Sequence, residues 1–104
     1  MTRPAIVNRI SKTIHRLEPT ATSILFGSEA RGDASANSDI DVLVLLDAEN
    51  DFVEREGEVA YELFLLGLAN NIEINPVIFR RSHWENRPFK TPFYCNVMNE
   101  GIQI

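Results

Sequence analysis

Gly27-Ser28-Glu29-Ala30-Arg31-Gly32-Asp33, followed after Ala34 to Asn37 by Ser38-Asp39-Ile40-Asp41-Val42-Leu43-Val44-Leu45-Leu46, is the stretch that decides how this chain is read. A short apolar run, Ile24-Leu25-Phe26, enters it, and the run from Val42 to Leu46 leaves it. The second run is apolar at every position, the pattern of a strand covered on both faces. Asp39 and Asp41 stand at i and i+2 where that strand begins, so both carboxylates share one face, roughly 7 Å apart along the chain. Two acids held in parallel at the rim of a core repel each other until a cation neutralises them. A divalent ion such as Mg²⁺ does this, taking one or two carboxylates and filling its remaining positions with water and substrate phosphates.

Gly27-Ser28 directly follows the first apolar run. A glycine there lets backbone N–H groups come close to a phosphate, and the Ser28 hydroxyl adds a donor. Arg31 is the only cation among five acids from Gly27 to Asp47. It is either a salt-bridge staple or a contact to phosphate. Other phosphate and metal motifs fail. No Gly-Lys-Ser/Thr is present, no Gly-x-Gly-x-x-Gly opens a helix, and Asp41 runs into aliphatics where a calcium loop needs further ligands. His15 and His83 lack metal-ligand spacing and a companion nucleophile, which leaves them surface or structural roles.

Outward from this centre, the 104 residues read as a single domain, 1–104, with no repeat, linker or low-complexity segment. Thr2 is placed to cap a helix with Pro4 in its first turn, carrying Ile6, Ile10, Ile14 and Leu17 at helical spacing to Glu18-Pro19. Ser23 to Phe26 and Asp39 to Leu46 are strands. Asp47 to Asn50 is a turn, and a long helix follows to about Ala69, with Val53, Gly57, Ala60, Tyr61, Phe64 and Leu68 as its apolar stripe. Ile72 to Phe79 is a third strand, which Pro76 marks as an edge or a bulge. Short helices follow around Trp84 and from Phe93 to Asn99, then a terminal strand or tail at Ile102-Gln103-Ile104. Trp84, Phe89, Phe93 and Tyr94 read as a satellite core. The expected fold is α/β, with helices against a small mixed sheet.

Composition narrows the function classes. The longest apolar stretch, Leu63 to Ala69, is too short to span a bilayer, and the N-terminus lacks a signal-peptide core. Cytoplasmic is the default location, and Cys95, standing alone, is expected to be a small buried hydrophobe. The net charge of −5 argues against general binding of duplex nucleic acid. Seven acids between Asp47 and Glu62 face Arg55 alone. Glu54, Glu58 and Glu62 fall at i, i+4 and i+8, either a solvated acidic face or a surface for a basic partner.

Gly27-Ser28, ten residues, then Asp39-x-Asp41 resembles the signature of the DNA-polymerase-beta-like nucleotidyltransferase superfamily. The longer form, Gly-Ser-x-Ala-Arg-Gly-Asp with Ser-Asp-Ile-Asp-Val-Leu-Val, is similar to its small prokaryotic branch, the minimal (MNT-type) nucleotidyltransferases. The closing stretch Phe93 to Ile102 also resembles how those domains end. The resemblance implies the polymerase-beta-like nucleotidyltransferase fold and an enzyme that moves a nucleoside monophosphate from NTP, with ATP expected, to an acceptor hydroxyl. It implies Mg²⁺ or Mn²⁺ at Asp39 and Asp41, and the triphosphate at Gly27, Ser28, Arg31 and Ser38. The superfamily usually draws a third carboxylate from the next strand; Glu73 is the candidate, with Asn75 on the same strand face as the alternative contact. Such proteins are often paired with a helical HEPN-domain partner in toxin–antitoxin modules, as the antitoxin. Two other readings stand beside this one: a non-catalytic nucleotide-binding antitoxin that acts by occlusion, and a nucleotidyltransferase for a small molecule. The sequence does not fix the oligomeric state.

Overall fold

The all-apolar run becomes the covered strand of a four-stranded sheet. In the computed structural model, which describes residues 1–104, the elements are α1 (Pro4–Leu17), β1 (Thr22–Phe26), α2 (Gly27–Arg31), β2 (Ile40–Leu46), α3 (Phe52–Asn70), β3 (Ile74–Arg80), α4 (Arg81–Glu85), α5 (Pro92–Glu100) and β4 (Ile102–Gln103). The sheet order is β3-β2-β1-β4. β1 runs antiparallel to β2 and β4, while β2 and β3 are parallel and joined through α3. β3 therefore lies on an edge, where Pro76 costs no interior ladder bond. This is the expected α/β architecture with a mixed sheet. No helix is long and apolar enough to cross a membrane.

β2 has a core on each side. Val42, Val44 and Leu46 point into a cluster with Ile6, Ile10 and Ile14 of α1 and Val59 and Leu63 of α3. Leu43 and Leu45 point the other way, onto Trp84, Val97 and the half-buried rings of Phe26, Phe79, Phe93 and Tyr94. The satellite core is thus real, with Trp84 stacked near Tyr94 and edge-on to Phe93, but Phe89 stands outside it and is exposed. Cys95 is also exposed, contrary to expectation, because α5 buries Val97 and turns Cys95 outward.

Helix α3 is rotated relative to its expected stripe. Val59, Leu63 and Gly67 are buried, whereas Val53, Tyr61, Phe64 and Leu68 face solvent. The closing turn fixes this rotation. A Cβ at Gly67 would lie 2.5 Å from the Ile72 carbonyl oxygen, so only glycine lets the chain turn back this tightly into β3. Asn71 supplies the left-handed residue of that turn, and Ile72 N–H donates to the Gly67 carbonyl at 3.0 Å. Leu63 and Val59, one and two turns before Gly67, then necessarily face the sheet. Arg55 locks the other end by pairing with Glu18, a buried carboxylate at the end of α1, and by donating to the Asp47 carbonyl.

Thr2 does not cap α1. The cap position is Arg3, with no side-chain capping bond, and Thr2 is drawn instead to Glu29 of α2.

Candidate active site

Three chain segments meet where β2 begins. The antiparallel register sets Asp41 opposite Phe26, the residue before Gly27, and the parallel register sets Asp41 beside Asn75. The glycine loop, the aspartate pair and the start of β3 are thereby brought to one end of the sheet. Ile40 N–H donates to the Glu73 carbonyl at 2.9 Å, which pins that register.

Asn75 is the bridge between the acids. Its Nδ2 amide donates to Asp39 Oδ2 at 3.1 Å and to Asp41 Oδ1 at 3.3 Å, holding the two carboxylates on one face as their i, i+2 spacing requires. Glu73 adjoins Asp39 from the residue just before β3. Coulombic repulsion from Asp39, and then a hydrogen bond between the two carboxyls, pushes the Glu73 carboxyl above the usual carboxylate range. No three of the His, Cys, Asp and Glu side chains form a group ready to hold a metal. Two adjacent carboxylates with open coordination toward substrate do, however, suit a hard divalent cation of the Mg²⁺ kind.

Gly27 lies directly against the pair. Its φ is +73°, and a Cβ there would sit 2.5 Å from Asp41 Oδ2. Both the backbone conformation and the space therefore demand glycine. Gly27→Ala is expected to push the Asp41 carboxylate off Asn75 and to strain the loop by about 1–3 kcal/mol. Steady-state kinetics and thermal melting should show activity falling much further than stability.

The glycine loop itself is a single helical turn, α2, closed by Gly32 N–H and Asp33 N–H on the Ser28 carbonyl at 3.0 and 3.1 Å. Ser28 is half-buried beside Gly27. Arg31 is exposed and reaches Asp33 and Glu100, each at 3.3 Å, so it ties the loop to α5. Ser38 is held in the approach to Asp39, where its Oγ accepts from Ser35 N–H at 2.9 Å. Gly27, Asp39, Asp41 and Asn75 are brought together and Glu73 adjoins Asp39 without completing a group of three acids, while Arg31 is engaged with Asp33 and Glu100 and Ser38 with Ser35.

Glu29 went unnoticed in sequence. It is fully buried in α2 and accepts from Thr2 Oγ1, from Arg3 N–H at 2.8 Å and from Arg3 Nε at 2.6 Å. Burial alone would raise its pKa; the Arg3 and Thr2 donors outweigh that and hold it down at about 2. The glycine loop is thus fastened from beneath to the start of α1.

The family model of a nucleotidyltransferase domain matches residues 7–97 of the sequence, which takes in the glycine loop, the aspartate pair, Glu73 and Asn75. The chain belongs to the nucleotidyltransferase domain family. Two relatives from Methanocaldococcus jannaschii carry names describing them as putative protein adenylyltransferases. One is 33% identical over 81 residues, covering 78% of this chain and 75% of its own. The other is 35% identical over 78 residues, covering 75% and 71%. Among solved structures, this nucleotidyltransferase superposes with a TM-score of 0.61 on a toxin–antitoxin crystallised with AMP-PNP, at 26% identity over 92% of this chain and 69% of that one. It superposes equally well, with a TM-score of 0.61 at 25% identity, on a toxin–antitoxin MntA–HpeT mutant in which two aspartates are changed to glutamate. The fold, the enzyme class and the MNT-type resemblance read from Gly27 to Val44 are all supported by these likenesses.

Proposed function

We propose that this nucleotidyltransferase moves AMP from ATP to a hydroxyl of a partner protein, and that it serves as the antitoxin of a pair whose toxin is a helical HEPN-type protein. The observation that carries the proposal is the Asp39–Asp41 pair, bridged by Asn75 and pressed against Gly27. The names of the relatives support a protein acceptor, and the toxin–antitoxin neighbours, one with AMP-PNP, support both the nucleotide and the setting.

In this reading Asp39 and Asp41 hold a divalent cation, with Glu73 as the third carboxylate. Such an ion, when bound, neutralises phosphate charge and eases deprotonation of the acceptor hydroxyl. The chain's own work is positional. Gly27 and Ser28 offer backbone and hydroxyl donors to the triphosphate, and Asn75 keeps the two carboxylates parallel. The acceptor oxygen bonds to the α-phosphorus, the bond from that phosphorus to the bridging oxygen breaks, pyrophosphate departs, and the hydroxyl proton goes to solvent. Position and charge suffice here, with no covalent enzyme intermediate.

One observation favours a second reading, a nucleotide-holding antitoxin that acts by occlusion: an amide, not a third acid, bridges Asp39 and Asp41. Glu73→Gln separates the two. With α-labelled ATP, Mg²⁺ or Mn²⁺ and the purified partner, the transfer reading expects labelled partner from the wild type and at least about a tenfold lower rate from Glu73→Gln, with ATP binding retained. Unlabelled partner at saturating ATP, with the partner still neutralised, establishes occlusion instead.

A further inference from the structure

We infer that the outward face of α3 is the docking surface for the acceptor protein, and that it takes an amphipathic segment with apolar residues on one side and lysines or arginines along one edge. This docking rests on the protein acceptor proposed above and adds where that partner binds and by what chemistry.

Four large apolar side chains lie along the outer face of α3: Val53 is 70% exposed, Tyr61 60%, Phe64 59% and Leu68 64%. Their spacing is that of one helix face, so they form a continuous ridge three to four residues apart where no large residue intervenes, with Gly57 leaving a shallow notch between Val53 and Tyr61. A helix of a free-standing domain turns such a stripe inward, and here the tight turn at Gly67 prevents it. Contiguous apolar surface with a polar margin marks an interaction site.

The two margins differ. Glu54, Glu58 and Glu62 each follow a stripe position by one residue, so they line a flank turned about 100° from it. The one cation of the helix, Arg55, is committed to Glu18 and Asp51, and the one ion pair of the acidic row is the long Arg16–Glu62 contact at 3.7 Å. Like charges repeating at this spacing weaken a helix, and a basic partner edge relieves them. On the opposite margin Phe64 and Leu68 form the wall of a groove of about 340 Å³ whose far side is Ile72 and Glu73. Glu73 adjoins Asp39. A segment seated on the stripe therefore ends beside the aspartate pair, where an acceptor hydroxyl has to arrive.

A second copy of this chain fits less well, because a two-fold pairing of α3 doubles the glutamate row with no facing cation. A membrane surface fits less well too, since helices that lie on lipid carry lysine and arginine at this margin.

The test uses a fluorescent amphipathic Leu/Lys peptide of about five helical turns and its Leu/Glu counterpart. The expected result is saturable binding of the Leu/Lys peptide that shifts backbone amide signals from Tyr61 to Glu73, at least about tenfold weaker binding to Phe64→Ser/Leu68→Ser and to Glu54→Lys/Glu58→Lys, and no binding of the Leu/Glu peptide. All four substituted side chains lie on the outer surface of α3, and circular dichroism melting checks that the fold is kept. Tyr61→Ala serves as a milder variant with the same expected direction. Equal binding to all variants overturns the assignment. So does sedimentation as a dimer that Phe64→Ser/Leu68→Ser converts to monomer, since the occupant is then a second copy. Docking is read without chemistry, so Asp39→Asn/Asp41→Asn should bind the peptide like the wild type. No transfer by the wild type with intact docking counts against the proposed function alone, and absent docking with intact transfer by the wild type counts against this surface alone.

Discussion

Asp41→Asn is expected to remove nucleotidyl transfer, lowering the rate on the order of 10³-fold, while the protein melts at or slightly above the wild-type temperature. Asparagine keeps the shape of the side chain beside Gly27 and Asn75, so packing is preserved. What disappears is one of two parallel negative charges, and with it half of the charge to which the proposed function assigns a divalent ion. Such an ion contributes several kcal/mol of charge stabilisation, and each 1.36 kcal/mol is a factor of ten in rate. The unchanged or raised melting point follows from relieved repulsion, because two carboxylates sharing a site oppose each other when no cation is bound. Asp39→Asn should behave alike, since Asp39 is exposed and shares the same Asn75 amide. Single-turnover labelling from ATP and a melting curve on the same sample check both halves.

Glu29→Ala is expected to act in the opposite way, through stability. Glu29 is buried and its carboxylate is the shared partner of Thr2, the Arg3 backbone and the Arg3 guanidinium. Removing it leaves a largely buried arginine uncompensated, a change that costs about 3–5 kcal/mol in buried pairs. For a domain of this size that is a large part of the total stability. The same carboxylate predicts acid sensitivity. Its folded pKa is about 2 against an ordinary 4.5, so its stabilisation is complete above roughly pH 4.5 and is lost as pH falls toward 2. Glu29→Gln should flatten the acid limb of the stability curve between those values. Chemical denaturation across pH 2 to 6 measures this for both proteins.

The parts of the fold that were legible depend on local pattern. Val42 to Leu46 reads as a doubly covered strand because every position is apolar, and its two faces do enter two cores. Pro76 reads as an edge or a bulge because it lacks a ladder donor, and β3 is an edge. Asp39 and Asp41 share a face because the strand period is two. What was illegible depends on partners far along the chain. Nothing next to Glu29 in sequence marks it for burial, because the donors that hold it, Thr2 and Arg3, come from the start of the chain. Thr2 looks like a helix cap for the same reason.

The α3 stripe is the instructive miss. Tyr61, Phe64 and Leu68 are the strongest hydrophobic signal on that helix, yet the core takes Val59, Leu63 and Gly67. Periodicity fixes the helix but not which of two apolar faces turns inward. That choice was made by the Gly67–Ile72 contact, a close approach no stripe reveals. The rank of Glu73 and Asn75 was likewise beyond sequence, because a parallel pair joined through a whole helix has its register set by packing. With Asp41 beside Asn75, the amide takes the bridging position, and Glu73, one residue ahead of β3, neighbours Asp39.

Intact-mass spectrometry of the partner protein, after incubation with this nucleotidyltransferase, ATP and Mg²⁺, tests the central claim most directly. A partner heavier by one or more AMP groups, with an equal amount of pyrophosphate released and neither change seen with Asp39→Asn/Asp41→Asn, is the predicted result. A partner of unchanged mass, bound and neutralised by wild type and double variant alike, would contradict it.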